Sequence, residues 1–160
     1  MRLSRLLIVC YVLSLAQTAV LAQAASGSSE PRKFDEFGVI NCEYEMAKLD
    51  SFVIALQNEP QATGYIIYYE GRRYGTKRPR VGEAETRAAR MRPYLINQRG
   101  LSPERLVMIN GGFREFFTAE LWIVPGGATA PTATPTLRRR DIKYRRGKVT
   151  AREFRLQCMV

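Results

Sequence analysis

Histidine is absent from this chain of 160 residues, and cysteine occurs only three times. A chain without histidine lacks the commonest general base and the commonest metal ligand. It also has no glycine-rich phosphate motif, no acid cluster suited to a hard cation, and no Ser or Asp in a nucleophile-like motif. The sequence therefore predicts a non-catalytic protein without a metal or other cofactor. Two distant acids that converge in the fold are the one catalytic arrangement left open.

The N-terminus has the pattern of an export signal. Arg2 and Arg5 precede an apolar run from Leu6 to Leu15, and small residues of the A-x-A kind follow at 20–24. We expect a secretory signal peptide at 1–24, with no transmembrane segment after its cleavage. An uncleaved membrane anchor is the alternative, although polar residues interrupt a stretch that is barely long enough to span a bilayer.

Removal of the signal peptide would leave two cysteines, Cys42 and Cys158. An exported protein meets an oxidising environment, in which two cysteines allow a single connectivity. We therefore predict a disulfide between Cys42 and Cys158. Two unpaired thiols are the alternative.

The positive charge is concentrated at the C-terminus. Residues 137–160 hold nine Lys or Arg against two acids, so they contribute +7 of the net charge of +10. The middle of the chain is nearly neutral. Any affinity for polyanions is therefore expected largely in this basic tail.

Composition divides the mature chain into four parts. Residues 25–33 form a flexible linker of small residues, 34–124 a domain, 125–136 a Pro/Thr/Ala-rich, semi-rigid linker, and 137–160 the basic tail. Capping-box residues at 150–153 predict a short C-terminal helix, and two strands around 146–147 are the alternative.

Within the domain, hydrophobic spacing predicts strands at 34–40, 64–69, 106–109 and 116–124, with a turn at 110–112. One helix is expected between Asn41 and Pro60, and a second at 83–95 with a kink or restart at Pro93. Glu43 and Glu45 are interpreted as solvated acids of the first helical turn.

The connection from the second strand to the second helix, residues 70–82, is long and basic. It contains five Lys or Arg, among them Arg72, Arg73 and Arg80, and two flanking glycines. Long connections in compact domains are often functional or disordered. This pattern favours a loop that faces an anion, and a merely solvated loop is the alternative.

A series of short motifs runs through the second helix and the strand after it: Arg87-Ala88, Tyr94-Leu95, Gly100-Leu101, Leu106 and Gly112. Their spacings and the order of the elements resemble the OmpA-like domain, the C-terminal peptidoglycan-binding module of many Gram-negative envelope proteins. The resemblance covers about residues 34–124. It implies an α+β fold of order β-α-β-α-β-β, a two-layer sandwich with helices packed on a mixed sheet. It also implies a periplasmic or secreted protein of a Gram-negative type of envelope.

The resemblance implies a role for Arg87, because the family's helix arginine binds a carboxylate of diaminopimelate in the peptidoglycan stem peptide. A guanidinium suits that task through its permanent charge and its fork of donors. The family also uses an aspartate to hold the ligand's ammonium group, and here that position is Arg72. An arginine would repel the ammonium group, and Glu70 is the only nearby acid that could replace the aspartate.

These observations yield three functional hypotheses. The first is a non-catalytic envelope module that binds peptidoglycan stem peptide through Arg87, with Glu70 as a displaced acid. The second is an electrostatic binder that holds anionic polymers or lipid head groups with the Arg72 to Arg80 loop and the basic tail. Few aromatic residues interrupt the tail, so specific recognition of nucleic acid is not expected. The third is a scaffold without a ligand.

Overall fold

The computed structural model describes residues 30–147 and 149. The predicted signal peptide, Cys158 and the short C-terminal helix lie outside these residues. The pairing of Cys42 with Cys158 therefore stays a prediction.

Within residues 30–147, two α-helices and four strands follow one another in the order β-α-β-α-β-β. They are β1 (Arg32–Phe37), α1 (Cys42–Gln57), β2 (Thr63–Arg73), α2 (Glu83–Pro93), β3 (Leu106–Phe116) and β4 (Thr118–Val124). The sheet is mixed, with strand order β1-β4-β2-β3. Only the β2–β3 pair is parallel, while β1–β4 and β4–β2 are antiparallel. This confirms the predicted α+β class, with two helices and a mixed four-stranded sheet.

One face of the sheet is covered by the helices. Pleated strands point alternate residues to opposite faces, and Ile66, Leu121 and Ile123 point to the helix side. They join a single apolar cluster with Leu49, Phe52, Val53, Leu56, Met91 and Leu95 from the helices and the turn after α2. This cluster is the hydrophobic core of the domain.

Local capping explains where the helices begin and end. The side chain of Asn41 accepts a hydrogen bond from the backbone N–H of Tyr44, as expected of a helix N-cap. At the other end of α1, Arg105 donates to the carbonyls of Leu56, Glu59 and Ala62. The helix α2 ends at Pro93 and continues as a π-helical turn, Tyr94–Gln98. The predicted break at Pro93 is thereby confirmed.

The predicted turn at 110–112 is wrong, because β3 runs through it. Tyr68 pairs with Asn110 and Tyr69 with Gly112, so Gly111 is an extra residue in β3, a β-bulge. A Cβ on Gly111 would collide with the ring of Tyr69 and lie 2.7 Å from Ile67 Cγ2. Gly111 therefore lets β3 pass close to β2, and the chain does not reverse here.

The opposite face of the sheet is covered by residues 125–137, which we call the strap. The backbone N–H of Thr134 donates to the Tyr69 hydroxyl at 3.1 Å. Arg114 donates to the Thr134 hydroxyl at 2.7 Å. Leu137 forms an isolated antiparallel bridge with Phe113 at the end of the strap. The predicted linker thus lies against the domain instead of extending away from it.

A buried carboxylate, Glu120, lies at the centre of this second face. Its side chain is 2% exposed, and it accepts hydrogen bonds from Trp122 Nε1, the Tyr69 hydroxyl, Arg114 and Lys33. Burial raises the pKa of Glu120, but the hydrogen bonds and the positive charges outweigh it and hold the pKa below its usual value. Trp122 therefore contributes to this network through its indole N–H.

Candidate functional site

Basic side chains from two separate parts of the chain meet in one open cleft. Its volume is about 440 Å³, and its lining residues are Arg72, Arg73, Thr76, Lys77, Arg78, Asp141 and Lys143. The first five belong to the end of β2 and the loop that follows it, and the last two to the chain after β4. Five cations against one acid make the cleft positive, which suits it to an anionic ligand.

A tight turn shapes the loop wall of the cleft. The backbone N–H of Tyr74 donates to the Lys77 carbonyl at 2.8 Å, and the N–H of Lys77 donates to the Tyr74 carbonyl at 3.2 Å. Gly75 lies between them at φ +63°, a conformation that glycine adopts without strain. The turn therefore presents Thr76, Lys77 and Arg78 together at the rim.

The tail wall is attached to the loop by Arg145. Its backbone N–H donates to the Pro79 carbonyl at 2.9 Å, and its Nε donates to the Arg78 carbonyl at 3.0 Å. Ile142 is buried, which fixes the segment that carries Lys143. One of the sequence-based hypotheses was that the Arg72 to Arg80 loop and the basic tail bind anions together. In the structure, the start of the tail lies against this loop.

The cations of the cleft differ in their internal partners. Arg72 and Arg73 both approach Glu115, at 2.5 Å and 3.5 Å. The carboxylate of Asp141 accepts from the backbone N–H of Arg138 at 2.8 Å, within its own turn. Within residues 30–147 and 149, no acid forms an ion pair with the three remaining cations, Lys77, Arg78 and Lys143. Their charge is therefore available to a ligand.

Arg80 lies apart from the cleft, at the start of α2. Its backbone N–H donates to the Glu83 carboxylate at 3.0 Å, and its Nε lies 4.0 Å from the same group. The residue before the helix, Gly82, has φ +79° and provides no side-chain cap. The Glu83 carboxylate therefore holds the turn that leads into α2, and Arg80 helps to balance its charge.

Arg87 is held inside the domain. Its side chain is 12% exposed, and its Nη2 lies 3.7 Å from Glu83 Oε1. The guanidinium carbon lies 5.2 Å from the ring centre of Tyr74 and 5.7 Å from that of Phe117, within cation-π range. Burial lowers the pKa of Arg87 from its ordinary value. A ligand carboxylate would reach little of this side chain in the described conformation.

Glu70 lies next to Arg87 in the same buried cluster, with Tyr74 between them. Its side chain accepts a hydrogen bond from the Tyr74 hydroxyl at 2.6 Å and one from the backbone N–H of Ala84 at 3.5 Å. Burial raises the pKa of Glu70, and the charge of nearby Glu83 adds to this effect. The structure thus brings the predicted Arg87 and Glu70 together, but with both groups already engaged by the protein.

The interpretation of Glu45 as a solvated acid is wrong. This residue is buried, and its carboxylate accepts two hydrogen bonds from Arg90, one of them at 2.9 Å from Nε. The pair joins α1 to α2 across the helix layer. Sequence spacing within one helix carries no information about an ion pair between two helices, so the pair of Glu45 and Arg90 could not be predicted.

Metal-ligand clusters and membrane-spanning helices were both looked for in the part of the chain that the structure describes. Among residues 30–147 and 149, no group of three or more Cys, Asp or Glu is placed to hold a metal ion. In the same part of the chain, none of the helices has the length and apolar character needed to cross a bilayer.

No protein-family model matches this chain, and no curated protein matches it. The function is therefore inferred from the geometry of the cleft and of the cluster around Arg87.

Proposed function

We propose that this chain is a non-catalytic, exported envelope protein that binds an anionic polymer in its basic cleft. The carrying observation is the convergence of five cations from the β2–α2 loop and the tail around about 440 Å³ of open space. Three of these cations, Lys77, Arg78 and Lys143, form no ion pair with the described residues. Unbalanced charges that share a concave surface attract counter-ions and anionic ligands.

The test measures binding to purified peptidoglycan sacculi and to dextran sulfate, each at low and moderate salt. Arg78→Ala/Lys143→Ala removes two charges from the cleft, and Arg138→Ala/Arg140→Ala removes two from exposed positions of the tail that do not line it. We expect the cleft variant to lose about tenfold in affinity, about 1.4 kcal/mol, and the control variant much less. Equal losses in the two variants would mean diffuse attraction to the basic tail and would overturn the cleft assignment.

A second candidate function is recognition of peptidoglycan stem peptide through Arg87, as the resemblance to OmpA-like domains implies. One observation favours it: Arg87 and an acid, Glu70, lie together around Tyr74 beside the β2–α2 loop. The low exposure of Arg87 favours the cleft instead, because a ligand would first have to displace Glu83 or open the aromatic contacts.

The variant Arg87→Lys separates the two candidates, because it keeps the charge but loses the planar fork of donors. Under the cleft proposal, Arg87→Lys binds sacculi as the unaltered chain does, provided that a thermal melt shows it to be folded. Under the stem-peptide candidate, binding is lost while the melt is unchanged, and that binding resists salt in the unaltered chain.

A further inference from the structure

The solvent-facing side of α1 is almost free of charge. Of the exposed residues of this helix only Glu43 is charged, and four of the others, Tyr44, Ala47, Ser51 and Ile54, follow one another at intervals of three or four residues. Side chains at these intervals are neighbours on a helix, so the four form one continuous line, which we call the α1 stripe. Its two large members, Tyr44 and Ile54, are 67% and 59% exposed.

The other helix turns a different kind of surface to solvent. The exposed positions of α2 are Glu85, Ala89, Arg92 and Pro93, with a charge towards each end. A surface helix normally places charged or polar residues opposite its buried face, and α2 follows this rule. In α1, by contrast, apolar side chains lie on the buried face and again on the exposed one. Such a helix is suited to packing against a second partner.

The spacing of the α1 stripe is the same in both directions. Tyr44 and Ile54 are equally far from its midpoint, and so are the two small residues Ala47 and Ser51. In an antiparallel pair of helices, a two-fold axis at this midpoint sets Tyr44 of one copy at the level of the partner's Ile54. The same axis sets Ala47 at the level of the partner's Ser51. The stripe therefore has the self-complementarity that an interface between two identical chains requires.

The centre of the stripe can be covered at little cost. The Ser51 hydroxyl donates to the Ala47 carbonyl at 3.0 Å, one turn back along its own helix. A partner that covered Ser51 would therefore leave no hydroxyl donor unsatisfied. Small side chains at this point also allow two helices to approach closely. No like charges meet at the centre of such a pair, although the whole chain carries a net charge of +10.

We propose that the α1 stripe is the contact surface between two copies of this chain, which pair through antiparallel α1 helices. A helix of 16 residues is about 24 Å long and about 10 Å wide, so the pair covers on the order of 240 Å² on each copy. A standard stable interface covers about 800 Å² on each partner. The dimer is therefore a weak one, which forms at high local concentration.

Pairing would give the dimer two basic clefts, since each copy carries one. A polymer with repeated anionic groups could then bind both clefts at once, which raises its avidity without any new contact. This consequence rests on the proposed function, but the pairing of the helices does not.

Sedimentation equilibrium of the exported protein over a series of concentrations tests the pairing. We expect a monomer–dimer equilibrium with a dissociation constant in the high micromolar range. Ala47→Arg places two like charges near the axis and should weaken the dimer about tenfold or more. The matched control is Ala89→Arg, the same change at an exposed position of α2, which should leave the dimer unchanged. Arginine is a good helix former, so circular dichroism should show both variants folded.

Mixing two variants tests the antiparallel register. Ala47→Glu and Ser51→Lys should each weaken self-association, and an equimolar mixture should recover it, because the new carboxylate and the new ammonium group lie at the same level across the axis. The control mixture combines Ala47→Glu with Asn58→Lys, whose lysine also lies on the exposed side but far from the level of residue 47. It should recover much less.

Three results would overturn the proposal. They are a monomer at every concentration, equal effects of Ala47→Arg and Ala89→Arg, and equal recovery in the two mixtures. The first would mean that something other than a second copy covers the stripe, and the last would mean attraction without the proposed register. None of them affects the proposed function, because binding of dextran sulfate to the cleft can be measured on the monomer.

Discussion

The two faces of the sheet are covered by different means. On one face, α1 and α2 bury an apolar cluster that includes Ile66 and Leu121. On the other, the strap lies over a polar network centred on Glu120 and Tyr69. The first face is held by burial of apolar area, which is non-directional. The second depends on directional hydrogen bonds, and it also carries the chain from β4 towards the tail wall of the cleft.

Two neighbouring residues give the most direct comparison of the faces. Ile66 and Ile67 are adjacent, identical in type and both 0% exposed, but they point to opposite sides of β2. We expect Ile66→Ala to reduce the free energy of unfolding by about 3–4 kcal/mol and Ile67→Ala by about 2 kcal/mol. The second cost is smaller because the strap can settle into a cavity more easily than two packed helices. Urea unfolding measures both values, and equal costs would show that the strap packs as firmly as the helix layer.

A loss similar to that of Ile67→Ala is expected at the centre of the second face. Glu120→Gln keeps the shape of the side chain but removes the charge that Arg114 and Lys33 approach, and we expect a cost of about 2 kcal/mol at neutral pH. The folded-state pKa of Glu120 lies below its unfolded value, so its stabilisation is present above the unfolded pKa and is lost as pH falls through the folded pKa. The difference between the two proteins in urea unfolding should therefore shrink in acid. A difference that is constant with pH would contradict this account.

Glu70, the buried acid on the helix side, should behave in the opposite way. Its folded-state pKa is raised by burial, so the stability it contributes is full below the unfolded pKa and is lost as pH rises through the folded pKa. We expect Glu70→Gln to be less stable than or equal to the unaltered chain in acid and to gain relative to it towards neutral pH. Thermal melts across this range measure the sign, and a relative loss towards neutral pH would refute the assignment.

The smallest effect is expected where the strap's continuation meets the loop. Arg145 donates to two loop carbonyls, whereas the neighbouring Arg146 is exposed and has the same charge. Arg145→Ala should weaken binding of dextran sulfate about threefold more than Arg146→Ala, because it removes the side-chain hydrogen bond to the Arg78 carbonyl and not only one charge. Equal losses would show that Arg145 contributes charge alone.

The sequence predicted the fold class and most elements because their signals are local. The side chain of Asn41 caps α1, Pro93 ends α2, and the apolar spacing marks the strands of the core. The prediction of a turn at 110–112 was wrong because the local signal was ambiguous there. Glycines permit a turn and a β-bulge equally well, and only the approach of Tyr69 across the sheet decides between them.

The candidate site was predictable in its residue types but not in its arrangement. Loop composition pointed to Arg72, Arg73 and Arg80 as an anion-facing group, yet the structure assigns Arg80 to the start of α2 and Arg87 to a buried aromatic cluster. The acid that matters to the cleft, Glu115, carries no pattern of its own in the sequence. It becomes visible only through the register of β2 and β3.

By itself the sequence determined the fold class, the alternation of helices and strands, and the excess of positive charge in the loop and the tail. These follow from composition and from periodicities within single elements, which neighbouring residues specify. The tertiary structure alone decided which cations share one cleft, which of them Glu115 neutralises, and that the strap covers the second face of the sheet. Such contacts join residues tens of positions apart, and their geometry is set only when strands pair and layers pack.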